Sequence, residues 1–202
     1  MIDIFLETGK KTTPEFCFID DFVGKHLGVD PSEYGIECVD GKDNLQRAVN
    51  KLRDNTFSGI RNLIIFDADS SSNGGGFEKR KFELLAKMKE LNITADLFLF
   101  PNNRDDGMFE DLLMHIARKE SHKSFFDCFS DYELCLGNNY LHPNLKGKIF
   151  TYISSMKSLS NRARRSLGSG DWHFMNDEYW NLNSDYLLPL AQFIRINIKK
   201  HE

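Results

Sequence analysis

No apolar run in the 202 residues approaches the ~20 that a helix needs to span a bilayer, so no membrane crossing is expected. The stretch from Met1 to Glu7 lacks the basic start and long apolar core of a signal peptide, and a cytoplasmic protein is the expectation. The four cysteines, Cys17, Cys38, Cys128 and Cys135, form no CxxC pair and read as buried thiols. His115, His142 and His173 show no metal-ligand spacing. Neither Gly74-Gly75-Gly76 nor Gly9-Lys10-Lys11-Thr12 meets the GxxxxGK[ST] spacing of a phosphate loop. The net charge of -4 argues against a generally basic nucleic-acid coat and leaves room for a local basic patch. There is no internal repeat and no low-complexity linker.

What is present is an ordinary globular composition, 41% apolar and 28% charged, and one informative stretch. Residues 62–71 run from Asn-Leu-Ile-Ile-Phe into Asp67-Ala68-Asp69. A short apolar run without polar alternation is the pattern of a strand covered on both faces, as in a parallel sheet. Asp67 and Asp69 fall at its carboxyl end, where open α/β sheets place their ligands. If the chain stays extended, the two carboxylates share one side and repel each other unless a cation or a shared proton intervenes. A hard divalent cation, magnesium first, is the simplest remedy. The competing reading is an acid pair that caps a helix and faces solvent, although asparagine or serine would cap without the repulsion.

The same logic extends along the chain. Residues 2–6 and 35–39 read as strands, followed by residues 63–66 and by 97–100, which Pro101 closes. Thr13-Pro14-Glu15 starts a helix with a capping hydroxyl, a proline and an acid, and Phe16, Ile19, Val23 and Leu27 continue it to Gly28. Further amphipathic stripes run through Leu45–Leu52, Leu84–Leu91 and Phe109–Ile116. This alternation predicts a four-stranded parallel sheet with helices on both faces over residues 1–120. Strand signals then stop, and residues 121–202 read as a helical extension packed on the sheet domain, with 161–170 irregular and basic. The strand ends that precede helices gather Glu7, Asp40, Asp43, Asp67, Asp69, Asp105, Asp106, Glu110 and Asp111 on one rim, a repulsive set without cations.

Leu6-Glu7-Thr8-Gly9 together with Ile64-Ile65-Phe66-Asp67-Ala68-Asp69 resembles the paired signature of the TOPRIM fold. That fold is shared by topoisomerases, bacterial primases, recombination-repair proteins and the nucleases of the overcoming-lysogenization-defect type. With Gly41-Lys42-Asp43-Asn44, Phe98 to Asn103, the Gly107-x-Phe109-Glu110-Asp111-Leu112-Leu113 run and Trp172, the chain is similar to a small TOPRIM-related bacterial family of unknown function. The signature core covers roughly residues 1–116. The turn after Glu7 differs: TOPRIM proteins commonly continue Glu-Gly with an acid shortly beyond, whereas here Thr8 intervenes and the turn is longer.

The resemblance implies a metal-dependent nuclease. Glu7 would be a general acid or base or the ligand of a second metal, and Asp67 and Asp69 would bind Mg2+ or Mn2+. Glu110 and Asp111 would be additional acids of the metal site, and Lys10 a phosphate contact. Partners would be DNA or RNA, and an ATPase or other protein. No tyrosine is placed as a topoisomerase nucleophile. Two alternatives stand beside this one. A degenerate TOPRIM domain would bind nucleic acid or a protein without catalysis. The Ile-Ile-Phe-Asp-Ala-Asp run also resembles the first motif of haloacid-dehalogenase-type phosphatases, with Asp67 as nucleophile, and the metal site of sugar-nucleotide transferases.

Overall fold

A computed structural model describes residues 1–199; the end of the expected helical extension, residues 200–202, lies outside the described residues. Four strands, β1 (Ile2–Leu6), β2 (Tyr34–Cys38), β3 (Arg61–Asp67) and β4 (Asp96–Phe100), form one all-parallel sheet in the order β2-β1-β3-β4. The register sets Leu6 beside both Cys38 and Ile65, and Asp67 beside Phe100. The carboxyl ends of all four strands therefore share one edge. The expected α/β class with a parallel sheet is met.

Period-two alternation sorts the side chains to two cores. Ile2, Ile4, Leu6, Leu63, Ile65, Phe98 and Phe100 face one side. Phe5, Ile64, Phe66 and Leu99 face the other. Both sides are apolar because both are covered. The first side carries α1 (Pro14–Asp20), which continues in wider turns over Asp21–His26, and α4 (Phe109–Ile116). The second carries α2 (Val49–Phe57), entered through the tight turns of Lys42–Ala48, and α3 (Phe77–Glu90). Thr13 starts α1 as its spacing predicts, with Oγ1 accepting from the Phe16 amide at 3.3 Å. Gly28, at φ +71°, takes the left-handed conformation that ends the segment.

Beyond residue 120 the chain is helical, with α5 (Lys123–Leu136), α6 (Leu145–Ser154), α7 (Asn161–Ser166) and α8 (Leu188–Lys199). The first core is continuous with this part: Ile149, Tyr152, Ile153, Trp172, Trp180, Leu190 and Ile194 pack with the sheet residues. Trp180 donates its indole N–H to the Trp172 carbonyl at 3.0 Å, and Tyr152 its hydroxyl to that of Tyr179 at 3.1 Å, so these aromatics bury their polar atoms paired. The stretch expected to be irregular, 161–170, instead holds α7. Ser160 caps it by accepting from the Ala163 amide at 3.1 Å, and Arg164 ties it to the end of α6 through the carbonyls of Ser154 and Met156.

Among the described residues no helix is long and apolar enough to cross a membrane.

Candidate functional site

Strands β1 and β3 are neighbours, yet the helices that follow them, α1 and α3, cover opposite faces of the sheet. A crevice must open where the two connections part, at the carboxyl ends of these two strands. Glu7 and Asp67 stand at that point. The Glu7 carboxylate spans the crevice, accepting from the Lys42 amide through Oε1 and from the Asp67 amide through Oε2, each at 3.2 Å. Asp67 accepts from the Phe109 amide at 2.8 Å, which is the first residue of α4. Its carboxylate thus sits on the positive end of that helix.

Two more acids join them. Glu110 follows Phe109 in the first turn of α4, and Glu15 occupies the first turn of α1. The Glu15 residue is half-buried, but its Oε1 has neither solvent contact nor a hydrogen-bond partner. Burial is the main cause that pushes all four carboxyls above their ordinary pKa. For Asp67 the charges of Glu7 and Glu110 add to it. For Glu15 those of Asp67, Glu7 and Glu110 do so, with Lys146 acting in the opposite sense. Glu7, Glu15, Asp67 and Glu110 therefore form one electrostatic unit at the crevice, and Lys146, exposed near the start of α6, opposes the raised pKa of Glu15 and Glu110 from the C-terminal third.

Among the described residues no three His, Cys, Asp or Glu side chains stand at the spacing that holds a metal ion. Glu7 and Asp67 are turned onto backbone amides. The donor chemistry, carboxylate oxygens only, suits magnesium or manganese, and Glu15 Oε1 is a buried acceptor without a donor. Closing a coordination shell would require carboxylates to rotate off their amides.

The other expected site residues are placed differently. Asp69 does not continue the strand. After Asp67 the chain turns, and Asp69 adopts φ +59°, so the assumption of an extended pair on one side fails. Its carboxylate is ion-paired with Arg80 of α3, itself 3% exposed. The expected cation beside Asp69 is thus a guanidinium. Gly75 makes the turn possible, since a Cβ there would come within 2.4 Å of Asp69 Cβ. Asp111 caps α4 from within, accepting from the Met108 amide at 2.7 Å. Asp106 accepts from the Phe77 amide at 2.7 Å and so caps α3, while Asp105 pairs with Arg104 at 2.9 Å. Of the rim of acids, Asp69, Asp105, Asp106 and Asp111 go to local capping and pairing, and the crevice keeps Glu7, Asp67 and Glu110, joined by Glu15. Lys10 is exposed in the turn between β1 and α1.

Sequence reasoning missed Glu15 as a member of the cluster and Arg80 as a partner. Both were marked by position. Glu15 precedes Phe18 and Ile19 by three and four residues, and Arg80 lies between Phe77 and Leu84 at the same spacings. Each charge falls on the buried stripe of its helix, where an ion is expected only with a partner or a task.

No family model, no curated protein and no solved structure matches this chain.

Proposed function

We propose that this chain is a divalent-cation-dependent phosphoryl-transfer enzyme of TOPRIM type that cleaves nucleic acid. The observation that carries the reading is the carboxyl cluster at the β1–β3 crevice, in which a buried Glu15 oxygen has no donor. Four desolvated carboxyls are costly to hold together unless they meet a cation or share protons, and a ligand site at the crevice is where such a sheet puts one. In this reading Glu15, farther along the chain, would take the part of the acid that TOPRIM proteins carry shortly after the strand-end glutamate and that the longer turn here lacks.

In this reading Glu7, Glu15, Asp67 and Glu110 are the donors for Mg2+ or Mn2+. A cation held there supplies charge that offsets the attacking and leaving oxygens of a phosphodiester. Glu7, whose carboxyl pKa burial raises above its ordinary value, is the group that would take or give a proton where it does not bind the cation. Lys146, at the cluster's outer side, eases the ionisation of Glu15 and Glu110. Asp69 reaches the cation only by leaving Arg80, so its part is to fix the guanidinium beside the site. A second reading, a TOPRIM-type domain that binds nucleic acid without turnover, draws on the amide bonds that already satisfy Glu7 and Asp67.

The test is cleavage of single- and double-stranded DNA and RNA with Mg2+, Mn2+ or chelator. Metal-dependent scission lost in both Asp67→Asn and Glu7→Gln is the expected result. Binding without scission selects the second reading. Hydrolysis of a small phosphomonoester with an aspartyl-phosphate trapped on Asp67 would overturn both.

A further inference from the structure

A second cleft opens beside the acid cluster, on the opposite face of the sheet from α1 and α4. It measures about 530 Å³ and lies between the Lys42–Ala48 turns and α3, lined by Lys42, Asp43, Arg80, Glu83, Leu84 and Lys87. That volume lies within the range of small-ligand sites, roughly 300–1,000 Å³.

Its charges are arranged unlike those of an ordinary solvated surface. Lys42 makes no ion pair among the described residues, while Lys87 stands on the other wall with Glu90 at 3.0 Å. Between them Arg80 is fixed, 3% exposed, by Asp69 on one side and by Glu83, at 3.2 Å, on the other. Its Nε–H is buried without a partner. The guanidinium cannot swing into solvent, so its charge is a permanent part of the wall. Glu83 is the loose member, 43% exposed, and its carboxylate occupies the position of an anion against Arg80.

We propose that this cleft is a phosphate-group site, in which an incoming phosphate displaces Glu83 and is held by Lys42 and Lys87 over the Arg80 charge. Three cations line the cleft; Asp69 and Glu90 pair with Arg80 and Lys87, Lys42 has no ion pair among the described residues, and a planar guanidinium with two flexible ammonium groups is a set suited to phosphate oxygens. The site adjoins the crevice on both sides: the Lys42 amide bonds Glu7, and Arg80 bonds Asp69. Its service as the berth for a phosphate next to the one being cleaved rests on the proposed function; its capacity to bind phosphate does not.

Titration of the full chain with inorganic phosphate, followed by 31P NMR without metal, tests the site. Saturable binding is expected. Lys42→Gln and Lys87→Gln each should weaken it about threefold or more, as for one exposed charge-assisted hydrogen bond. Glu83→Gln should tighten it, and Asp67→Asn should leave it unchanged. Absence of saturation, or binding indifferent to both lysines and to Glu83, overturns the proposal. A short oligonucleotide with and without a 5′-phosphate then identifies the source. If Lys42→Gln weakens only the phosphorylated form, the site takes a terminal phosphate; if it weakens both, an internal one. If it weakens neither, the site does not serve nucleic acid and takes free phosphate or a nucleotide. Phosphate binding with no metal-dependent scission would leave this site standing while the proposed function falls.

Discussion

Strands β1 and β3 carry polar residues at both ends, and the two ends are built on opposite terms. At the amino end Asp3 and Asn62 are buried with Asn55 between them. The Asn55 amide donates to Asp3 and to Asn62, both at 2.8 Å, and Lys51 reaches Asp3 at 3.2 Å. Asn62 in turn donates to the carbonyls of Leu52 and Thr94 at 2.8 and 3.0 Å. Charge there is matched and donors meet acceptors. At the carboxyl end Glu7 and Asp67 meet two further acids, the buried Arg80 that acts on Glu7 is already paired with Asp69, and one carboxylate oxygen is left without a donor. Burial costs both ends alike. One recovers the cost within the fold; the other does not, and in the proposed function a bound cation recovers it.

The sharpest way to break this contrast is to neutralise an acid at each end. Asp67→Asn keeps the shape and removes the charge at the crevice. It should lower metal-dependent cleavage by a hundredfold or more, equivalent to about 2.7 kcal/mol of barrier, while Tm holds or rises. Asp3→Ala should do the reverse. It strands a buried Asn55 N–H, costing about 2 kcal/mol of stability, with kcat and metal affinity unchanged. Urea unfolding and single-turnover cleavage on the same two variants decide the matter. Equal stability losses at both ends would mean that the crevice acids are structural too.

A smaller effect separates the acids within the crevice. Burial raises the Glu15 pKa, so the folded chain holds that proton more tightly than the unfolded chain does. Its contribution to stability is complete below the ordinary carboxyl value of 4.5 and is lost as pH climbs through the raised value. Glu15→Gln should therefore stabilise the metal-free protein at pH 7 by on the order of 1 kcal/mol, or about 2–4 °C in Tm. The gain should vanish near pH 4. Added Mg2+ or Mn2+ should raise the Tm of the wild type more than that of the variant. A gain that is the same at pH 4 and pH 7 would remove charge as its cause.

How much of this could be read from residues alone differs between the two ends in an instructive way. The strand 63–66 and its flanking acids were legible because an apolar run without alternation has few alternatives, and the parallel sheet followed from the order of elements. Glu7 and Asp67 meeting at one edge followed from that topology. The fate of Asp69 was not legible, because it depends on a left-handed turn that Gly75 permits from six residues away and on an arginine eleven residues on. Asp106 and Asp111 were overcounted for a related reason: an acid in a loop or in a helix's first turn has the same appearance whether it caps or coordinates, and Asp106 caps a helix 29 residues earlier in the chain. Glu15 carried a usable sign, a charge on a buried stripe, but the Thr13-Pro14-Glu15 sequence already had a sufficient local explanation. Asn161 to Ser166 was misjudged because basic, small residues hide a helix whose cap, Ser160, lies just outside them.

The weakest expected effect belongs to Lys146, since an exposed ammonium is screened by water. It depresses the pKa of Glu15 and Glu110 from the rim of the cluster. Removing it leaves both carboxyls protonated to a higher pH, and if cleavage needs them ionised, the acidic limb of the kcat/KM profile moves up in Lys146→Ala. Below that limb the rate should drop about two- to threefold, the size of an exposed pair interaction of some tenths of a kcal/mol. Because the coupling is through solvent, the difference should fade at 1 M salt, where the screening length is about 3 Å. A salt-independent loss of the same size, with no movement of the limb, would make Lys146 a contact of the substrate phosphate, and the crevice acids would then titrate without help from the C-terminal third.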